Sequence, residues 1–385
     1  MKNLLLTLGA IIISASTLLA QWTQLPSGIT GEIEAVHMHD ANTIVIASGF
    51  GIFISTNGGS TWNPSLMAAI YDISFVSSST GYAAGDGGLV YKTTDGGFTW
   101  TQLNSSTTTK LRSLHFYNAN IGAAAGESGV VIVTNDGGAT WSTKPSGTSV
   151  RLLTVFFSSA TTGFVAGRDG VIRKTTDSGN TWITVNAGTS DDIASIFFTD
   201  ASAGFTAVEN GILLKTTDAG NSWMPVQTST TNDINGIYFR DNYNGYAVGM
   251  LGTIIKTTDG GDTWTNDISP TTSELAGIHF YNANNGFAVG DLGTILKFGS
   301  ATGINEINTA RFDIYPNPSR DYFVIQSEKK GDVKIEITDI IGKSVTVINS
   351  ELNQNIKHGI KEAGIYLVKI TVKDEKPVMK RLKVY

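Results

Sequence analysis

Short apolar runs bounded by Gly, Asn, Asp and Ser recur along the first three hundred positions. Examples are "LRSLHFYN" at 111–118, "RLLTVFFS" at 151–158, "DIASIFFT" at 192–199, "DINGIYFR" at 233–240 and "LAGIHFYN" at 275–282. They are too short for helices and rich in branched and aromatic residues, so each predicts a strand. A Gly-aromatic-Ala-x-Gly run follows in register: "GYAAG" at 81–85, "GFVAG" at 163–167, "GYAVG" at 245–249 and "GFAVG" at 286–290. Next comes a polar box that ends in tryptophan, as in "KTTDGGFTW" at 92–100, "KTTDSGNTW" at 174–182, "KTTDAGNSW" at 215–223 and "KTTDGGDTW" at 256–264, with the variants "STNGGSTW" at 55–62 and "TNDGGATW" at 134–141. The seven tryptophans, Trp22, Trp62, Trp100, Trp141, Trp182, Trp223 and Trp264, are spaced 40, 38, 41, 41, 41 and 41 apart. Each period holds four short strands with turns between them, which is one blade of a propeller.

The ends of the array predict how it closes. The last unit, "AGIHFYNANNGFAVGDLGTILKFG", stops after three strands without a box, while "QWTQL" at 21–25 matches the fourth strand "TWTQL" at 99–103. Trp22 to Leu25 is therefore expected to complete the seventh blade, which removes two open sheet edges. The boxes themselves predict scaffold. Asp95, Asp136, Asp177, Asp218 and Asp259 sit where a carboxylate accepts bonds from backbone amides of its own turn, and Asn57 in blade one can do the same with its amide oxygen. A catalytic carboxylate would not survive that exchange.

Composition adds limits. The chain has 385 residues, 43 glycines and no cysteine, so disulfides, thiolate metal sites and cysteine nucleophiles are excluded. Net charge is −6, divided as −9 over residues 1–304 and +3 over 305–385. That asymmetry marks two parts of different character, and neither has the strongly basic face of a nucleic-acid binder. "MKNLLLTLGAIIISASTLLA" at 1–20 reads as a secretory signal, with Lys2 before an apolar run that Ser14, Ser16 and Thr17 interrupt. No later segment is long and apolar enough to span a membrane as a helix. The expected organisation is a signal peptide at 1–20, a seven-bladed propeller at 21–298, a linker at 299–309 and a C-terminal domain at 310–385. The fold class is all-β: a seven-bladed β-propeller closed by its N-terminal strand, followed by a small β-sandwich.

Two resemblances follow from these motifs. "YPNPSRDYFVI" at 315–325, "ITDIIGKSV" at 337–345 and "AGIYLVKI" at 363–370, ending on "KRLKVY", resemble the C-terminal sorting domain of proteins exported by the type IX secretion system of Bacteroidetes. This implies export across the inner membrane by the N-terminal signal, then recognition of the tail by type IX machinery, with an extracellular or outer-membrane-surface destination. The repeats "GFAVG…GTILKTTDGGxTW" resemble photosystem II assembly-factor-like propellers and the wider Asp-box (BNR-like) group, which includes sialidases and sortilin-type receptors. That resemblance implies a fold, on which both enzymes and binders are built.

Candidate chemistry is sparse. A sialidase-like site needs an arginine triad, yet the propeller has only Arg112, Arg151, Arg168, Arg173 and Arg240 and lacks an Arg-Ile-Pro start motif. His37 and His39 form a His-x-His, but His37, His115 and His279 share a repeat position with Ser74, Phe156, Phe197 and Tyr238, which predicts an ordinary strand position and no metal. No cofactor is expected. What differs between blades is more useful, because a scaffold position repeats and a site does not. At the hairpin between strands two and three the series is Asp86, Glu127, Arg168, Glu209, Met250, Asp291. Leading into the first strand it is Glu32, Ala69, Lys110, Arg151, Asp192, Asp233, Glu274, and two residues further Glu34, Tyr71, Arg112, Leu153, Ala194, Asn235, Ala276. Both series should share one rim. There Lys110, Arg112, Arg151 and Arg168 would form a basic sector beside Tyr71, and Glu32, Glu34, Asp192, Asp233 and Glu274 an acidic one. The basic sector could grip a carboxylate or sulfate. The sequence leaves three readings: a non-catalytic module binding a protein or polysaccharide, a glycoside hydrolase using rim carboxylates, and a passive surface repeat.

Overall fold

The computed structural model describes residues 20–300 and, in the tail, 312–315, 319, 322–327, 332–339, 343–351, 356–360, 362–372 and 378–385. The expected signal peptide falls outside the described residues, apart from the backbone of Ala20. The chain divides into two compact units, with the boundary between Ser300 and Ala301.

The described residues of the first unit form seven four-stranded antiparallel sheets, one per blade. Blade two is representative, with strands Ile70–Phe75, Gly81–Gly85, Val90–Thr93 and Thr101–Leu103 in sequential order. Blade seven takes three strands, Leu275–Asn282, Asn285–Gly290 and Thr294–Ser300, from the end of the array, and its fourth, Ala20–Leu25, from the beginning. The closing pair runs antiparallel from Ala20 opposite Ser300 to Leu25 opposite Ile295, with Trp22 opposite Phe298. The ring therefore closes through its N-terminal strand. That pairing carries the last strand to Ser300, two residues into the segment expected as linker.

The repeated residues have local causes. The first glycine of each Gly-aromatic-Ala-x-Gly run lies under the ring of a first-strand phenylalanine, and a Cβ at Gly81 would run into Phe75. The last glycine allows close approach to a carbonyl: a Cβ at Gly85 would collide with the Ala69 oxygen, which accepts a bond from the Asp86 amide at 3.0 Å. The tryptophans pack edge-on against those phenylalanines, as Trp141 does on Phe116 at 5.8 Å.

The boxes are hydrogen-bonded turns. Asp95 Oδ1 accepts from the Thr99 amide (2.9 Å) and the Thr93 hydroxyl (2.7 Å), and Oδ2 from the Thr99 hydroxyl (2.6 Å). The same set recurs at Asp136, Asp177, Asp218 and Asp259. Bonds from the Thr140 hydroxyl and amide push the Asp136 carboxyl down to about 2. In blade one the Asn57 Oδ1 accepts from the Thr61 amide, and its Nδ2 donates to the Thr61 hydroxyl, reversing one donor without losing a bond. A lysine on the third strand then ties four boxes to the preceding blade: Lys92 to the Gly137 carbonyl, Lys174 to Ala219, Lys215 to Gly260 and, across the closure, Lys297 to Gly58, at 2.7–3.0 Å. A test follows at the buried Thr175, whose hydroxyl accepts from the Gly179 amide at 2.9 Å. Thr175→Val keeps the shape and strands a buried amide, so urea unfolding should show a loss of about 1–3 kcal/mol.

In the tail, Phe312–Tyr315, Phe323–Ser327 and Ile356–His358 form a three-stranded sheet, and Ser344–Glu351, Asp332–Asp339, Gly364–Val372 and Val378–Val384 a four-stranded one. Alternate residues of both, including Phe323, Ile325, Ile335, Ile337, Val368, Ile370 and Leu382, make one buried core.

Candidate functional site

The first strand of every blade faces the central channel, and each carries the same irregularity. Pairing with the second strand slips between Ile33 and Ala35, Ile70 and Asp72, Leu111 and Ser113, Leu152 and Thr154, Ile193 and Ser195, Ile234 and Gly236, and Leu275 and Gly277. A bulge places two successive residues on one face. Glu34, Tyr71, Arg112, Leu153, Ala194, Asn235 and Ala276 thus turn into the channel together with their C-terminal neighbours. They line a cavity of about 440 Å³, at whose mouth Glu32 and Glu274 stand.

The inner edge of these strands is unpaired, so its amides need acceptors. The preceding blade supplies them. Ser113 Oγ accepts from the Val155 amide, Thr154 Oγ1 from Ile196, Ser74 Oγ from Phe116, and His115 Nδ1 from Phe157. Asp72 does most: Oδ2 accepts from the Leu114 amide and the Ser113 hydroxyl, both at 2.9 Å, and Oδ1 from its neighbour Ile73, since Ala35 of blade one offers nothing. Burial pushes the Asp72 carboxyl up to about 6 against those bonds. Sequence reasoning missed this residue; its only mark was a carboxylate at a position otherwise held by Ala, Ser, Thr and Gly.

The two variable series do meet on one rim. The hairpin amides of Asp86, Glu127, Arg168, Glu209, Met250 and Asp291 donate to the carbonyls of Ala69, Lys110, Arg151, Asp192, Asp233 and Glu274 at 2.9–3.2 Å. The charge on that rim differs from the expected free basic sector. Arg112 Nε and Nη2 and Arg151 Nε all donate to the Glu127 carboxylate, at 2.8–3.1 Å. Partial burial raises the Glu127 carboxyl, but the bonds from Arg151 and Arg112 outweigh it and hold it below the usual range. Lys110 lies 3.3 Å from Asp86 and 3.1 Å from the Tyr71 hydroxyl, and Lys110 and Arg112 both stand over the Tyr71 ring, at 4.9 and 5.1 Å. Arg168 pairs with Asp192 at 3.5 Å, which draws Asp192 out of the acidic sector. Guanidinium groups on neighbouring blades bracket the Glu127 carboxylate, and the basic half is largely neutralised.

The acidic half is not. Burial, with Glu32 beside it, pushes the Glu34 carboxyl up to about 7. Burial followed by Asp291 raises Glu32, and burial raises Glu274 although Asn235 Nδ2 donates to it at 2.8 Å. Asp233 is the exception, holding the Asn210 amide of the neighbouring hairpin at 2.8 Å. The histidines are structural. His37 sits 4.5 Å from His279 and 5.0 Å from His39, ring to ring; burial depresses all three, and the Met38 amide donates to His279 Nδ1. Among the described residues no group of three His, Asp or Glu side chains is placed to hold a metal ion.

Comparison with known proteins decides the family. The model for photosynthesis system II assembly factor YCF48 matches residues 56–151, 146–231 and 224–299. The chain belongs to the YCF48 family. Its tail, at 313–384, is a secretion system C-terminal sorting domain, which marks the protein for the cell surface or beyond. YCF48 from Cyanidioschyzon merolae is 21% identical with a TM-score of 0.60, over 74% of this chain and all of that one. YCF48 bound to D1 peptide is 19% identical with a TM-score of 0.61, over 73% and 96%. The WD40 propeller of Doa1, at 11% identity and a TM-score of 0.63 over 74% and 98%, shares the fold alone. No protein of curated function matches the sequence.

Proposed function

We propose that this YCF48-family propeller is an exported, non-catalytic module that holds a segment of polypeptide over the mouth of its channel. The observation that carries this reading is the contrast between its faces. The box face repeats from blade to blade and consumes its polar groups internally. The channel face gathers the residues that differ around one cavity. A family described as an assembly factor and a structural neighbour holding a peptide both support it. An N-terminal secretory signal followed by type IX export is the route that agrees with the tail.

A specific observation favours the hydrolase as second reading: Glu34, with its carboxyl near 7, beside Glu32. Asp72, also raised, has both oxygens occupied by structural bonds. The test immobilises the exported protein and presents a mixed peptide library and a panel of polysaccharides, recording retention and new reducing ends. Peptide retention without new ends is expected, reduced about tenfold or more by Leu153→Trp with Ala276→Trp, which fill the mouth. Retention unchanged by that filling overturns the reading. New reducing ends abolished by Glu34→Gln replace it with the hydrolase.

A further inference from the structure

Six of the hairpins on the channel face are built on one three-residue turn whose middle residue has positive φ: Gly87 at 61°, Ser128 at 55°, Asp169 at 56°, Asn210 at 59°, Leu251 at 55° and Leu292 at 55°. Glycine, Asn and Asp suit that region, and a bulky apolar residue does not. Leu251 and Leu292 are also 66% and 78% exposed. Backbone and solvent both disfavour a leucine at these positions.

They do not stand alone. In blade one the hairpin turns at Phe50, 60% exposed, whose ring lies over Gly31, and Met67 on the following loop is 71% exposed. The supporting loops touch in succession. Gly252, after Leu251, abuts the Thr271 carbonyl; the Gly293 amide, after Leu292, donates to the Gly31 carbonyl at 2.7 Å; and Gly51, after Phe50, abuts Leu66 and Met67. An apolar arc therefore runs over blades six, seven and one. Inside it, toward the channel, stand Glu32 and Glu274, with Glu34 deeper, and Asp291 of the Leu292 turn lies close enough to raise Glu32. No Lys or Arg among the described residues forms an ion pair with any of these four.

We propose that this arc docks an extended apolar segment of another polypeptide that carries a lysine or arginine, with its apolar side chains on Leu251, Leu292 and Phe50 and its cation in the channel mouth among Glu32, Glu34 and Glu274. Charge complementarity selects the occupant: an acidic or neutral segment leaves the crowded carboxylates facing each other, and a cation relieves them. Surfaces of this kind combine strained backbone with exposed apolar side chains because the partner, absent from the free protein, supplies the compensation. The inference rests on the polypeptide-binding reading and names its partner.

The test titrates the exported protein with three synthetic nonapeptides: alternating Leu and Ser around a central Lys, the same with a central Glu, and the Lys peptide with every Leu changed to Ser. The Lys peptide with leucines should bind about tenfold or more tighter than either control. Leu251→Gly with Leu292→Gly should weaken it about tenfold while the melting temperature holds or rises, because glycine relaxes the turn. Equal binding of the Lys and Glu peptides overturns the inference, as does unchanged binding by the double glycine variant. If that variant binds normally while Leu153→Trp with Ala276→Trp abolishes binding, the polypeptide reading stands and this one falls. If the unaltered protein binds none of the three peptides while it retains members of the mixed peptide library, this inference falls and the polypeptide reading stands; if it retains neither, both fall.

Discussion

Trp22→Ala is expected to remove about 3–5 kcal/mol of stability, the usual cost of emptying a buried aromatic site. Trp22 is only 4% exposed, and its ring meets Phe298 at 5.1 Å, Phe280 at 5.8 Å and Tyr246 at 6.0 Å. Its indole N–H has no hydrogen-bond partner among the described residues, so the loss is one of packing. The position matters as much as the residue. The strand Ala20–Leu25 is joined covalently to blade one and completes blade seven, so it fastens the two ends of the ring with a full strand pairing. Urea unfolding of the exported protein measures the point variant. Deleting residues 20–25 goes further and bares the edge of Thr294–Ser300, an open row of backbone donors and acceptors that recruits other chains. Size-exclusion chromatography should show that form self-associating. A loss below about 1 kcal/mol for Trp22→Ala would mean that the closure does not depend on this packing.

The fold was legible because its repeated residues answer local demands. A turn needs Asp or Asn at 57, 95, 136, 177, 218 and 259, a ring needs glycine beneath it at 81, and the fourth strand of blade seven is missing from one end and present at the other. The candidate site was half legible. Counting from the repeat brings the variable positions to one rim, and the backbone bonds between hairpins and leading loops hold them there. What the repeat cannot carry is the pairing between blades about forty residues apart. Glu127 stood in the hairpin series without a partner, yet it joins Arg112 to Arg151 and cancels the sector that looked free. The bulge was equally hidden, since a period of two puts residues 34 and 35 on opposite faces, and only the slipped pairing turns both inward. The lysine ties on the box face were in view as the first letter of "KTTD", but each finds a backbone carbonyl acceptor in the next box that no side-chain pattern reports, with Asn221 and Asp262 as added side-chain acceptors for Lys174 and Lys215.

Those pairings also divide the molecule's stability from its function. Carboxylates on the box face and in the basic half are satisfied, and they stabilise the ring. Those in the acidic half are partly buried and crowd one another, which costs the free protein stability and leaves it prepared for a cation.

Glu34→Gln should therefore stabilise the protein at pH 8 by up to about 3 kcal/mol, and hardly at all at pH 4. The carboxyl ionises near 4.5 in the unfolded chain and near 7 in the folded one. Between those values the folded state holds a proton that the unfolded state has released, so stability falls as pH rises, and the full cost is present above 7. Glutamine keeps the shape and carries no charge, so it removes that slope. The buried histidines act in the opposite sense: burial lowers His115 and His279 to about 4, so their stability contribution is complete above about 6.5 and disappears as pH falls through 4. They are common to both proteins and cancel in the difference between variant and parent. Urea unfolding of the pair at pH 4, 6 and 8 isolates Glu34. A gain that grows with pH establishes the desolvated carboxylate; a difference independent of pH means Glu34 is hydrated in the free protein. The same substitution should weaken a lysine-bearing peptide, because the charge that costs the empty channel its stability at pH 8 is the charge that a cation would neutralise.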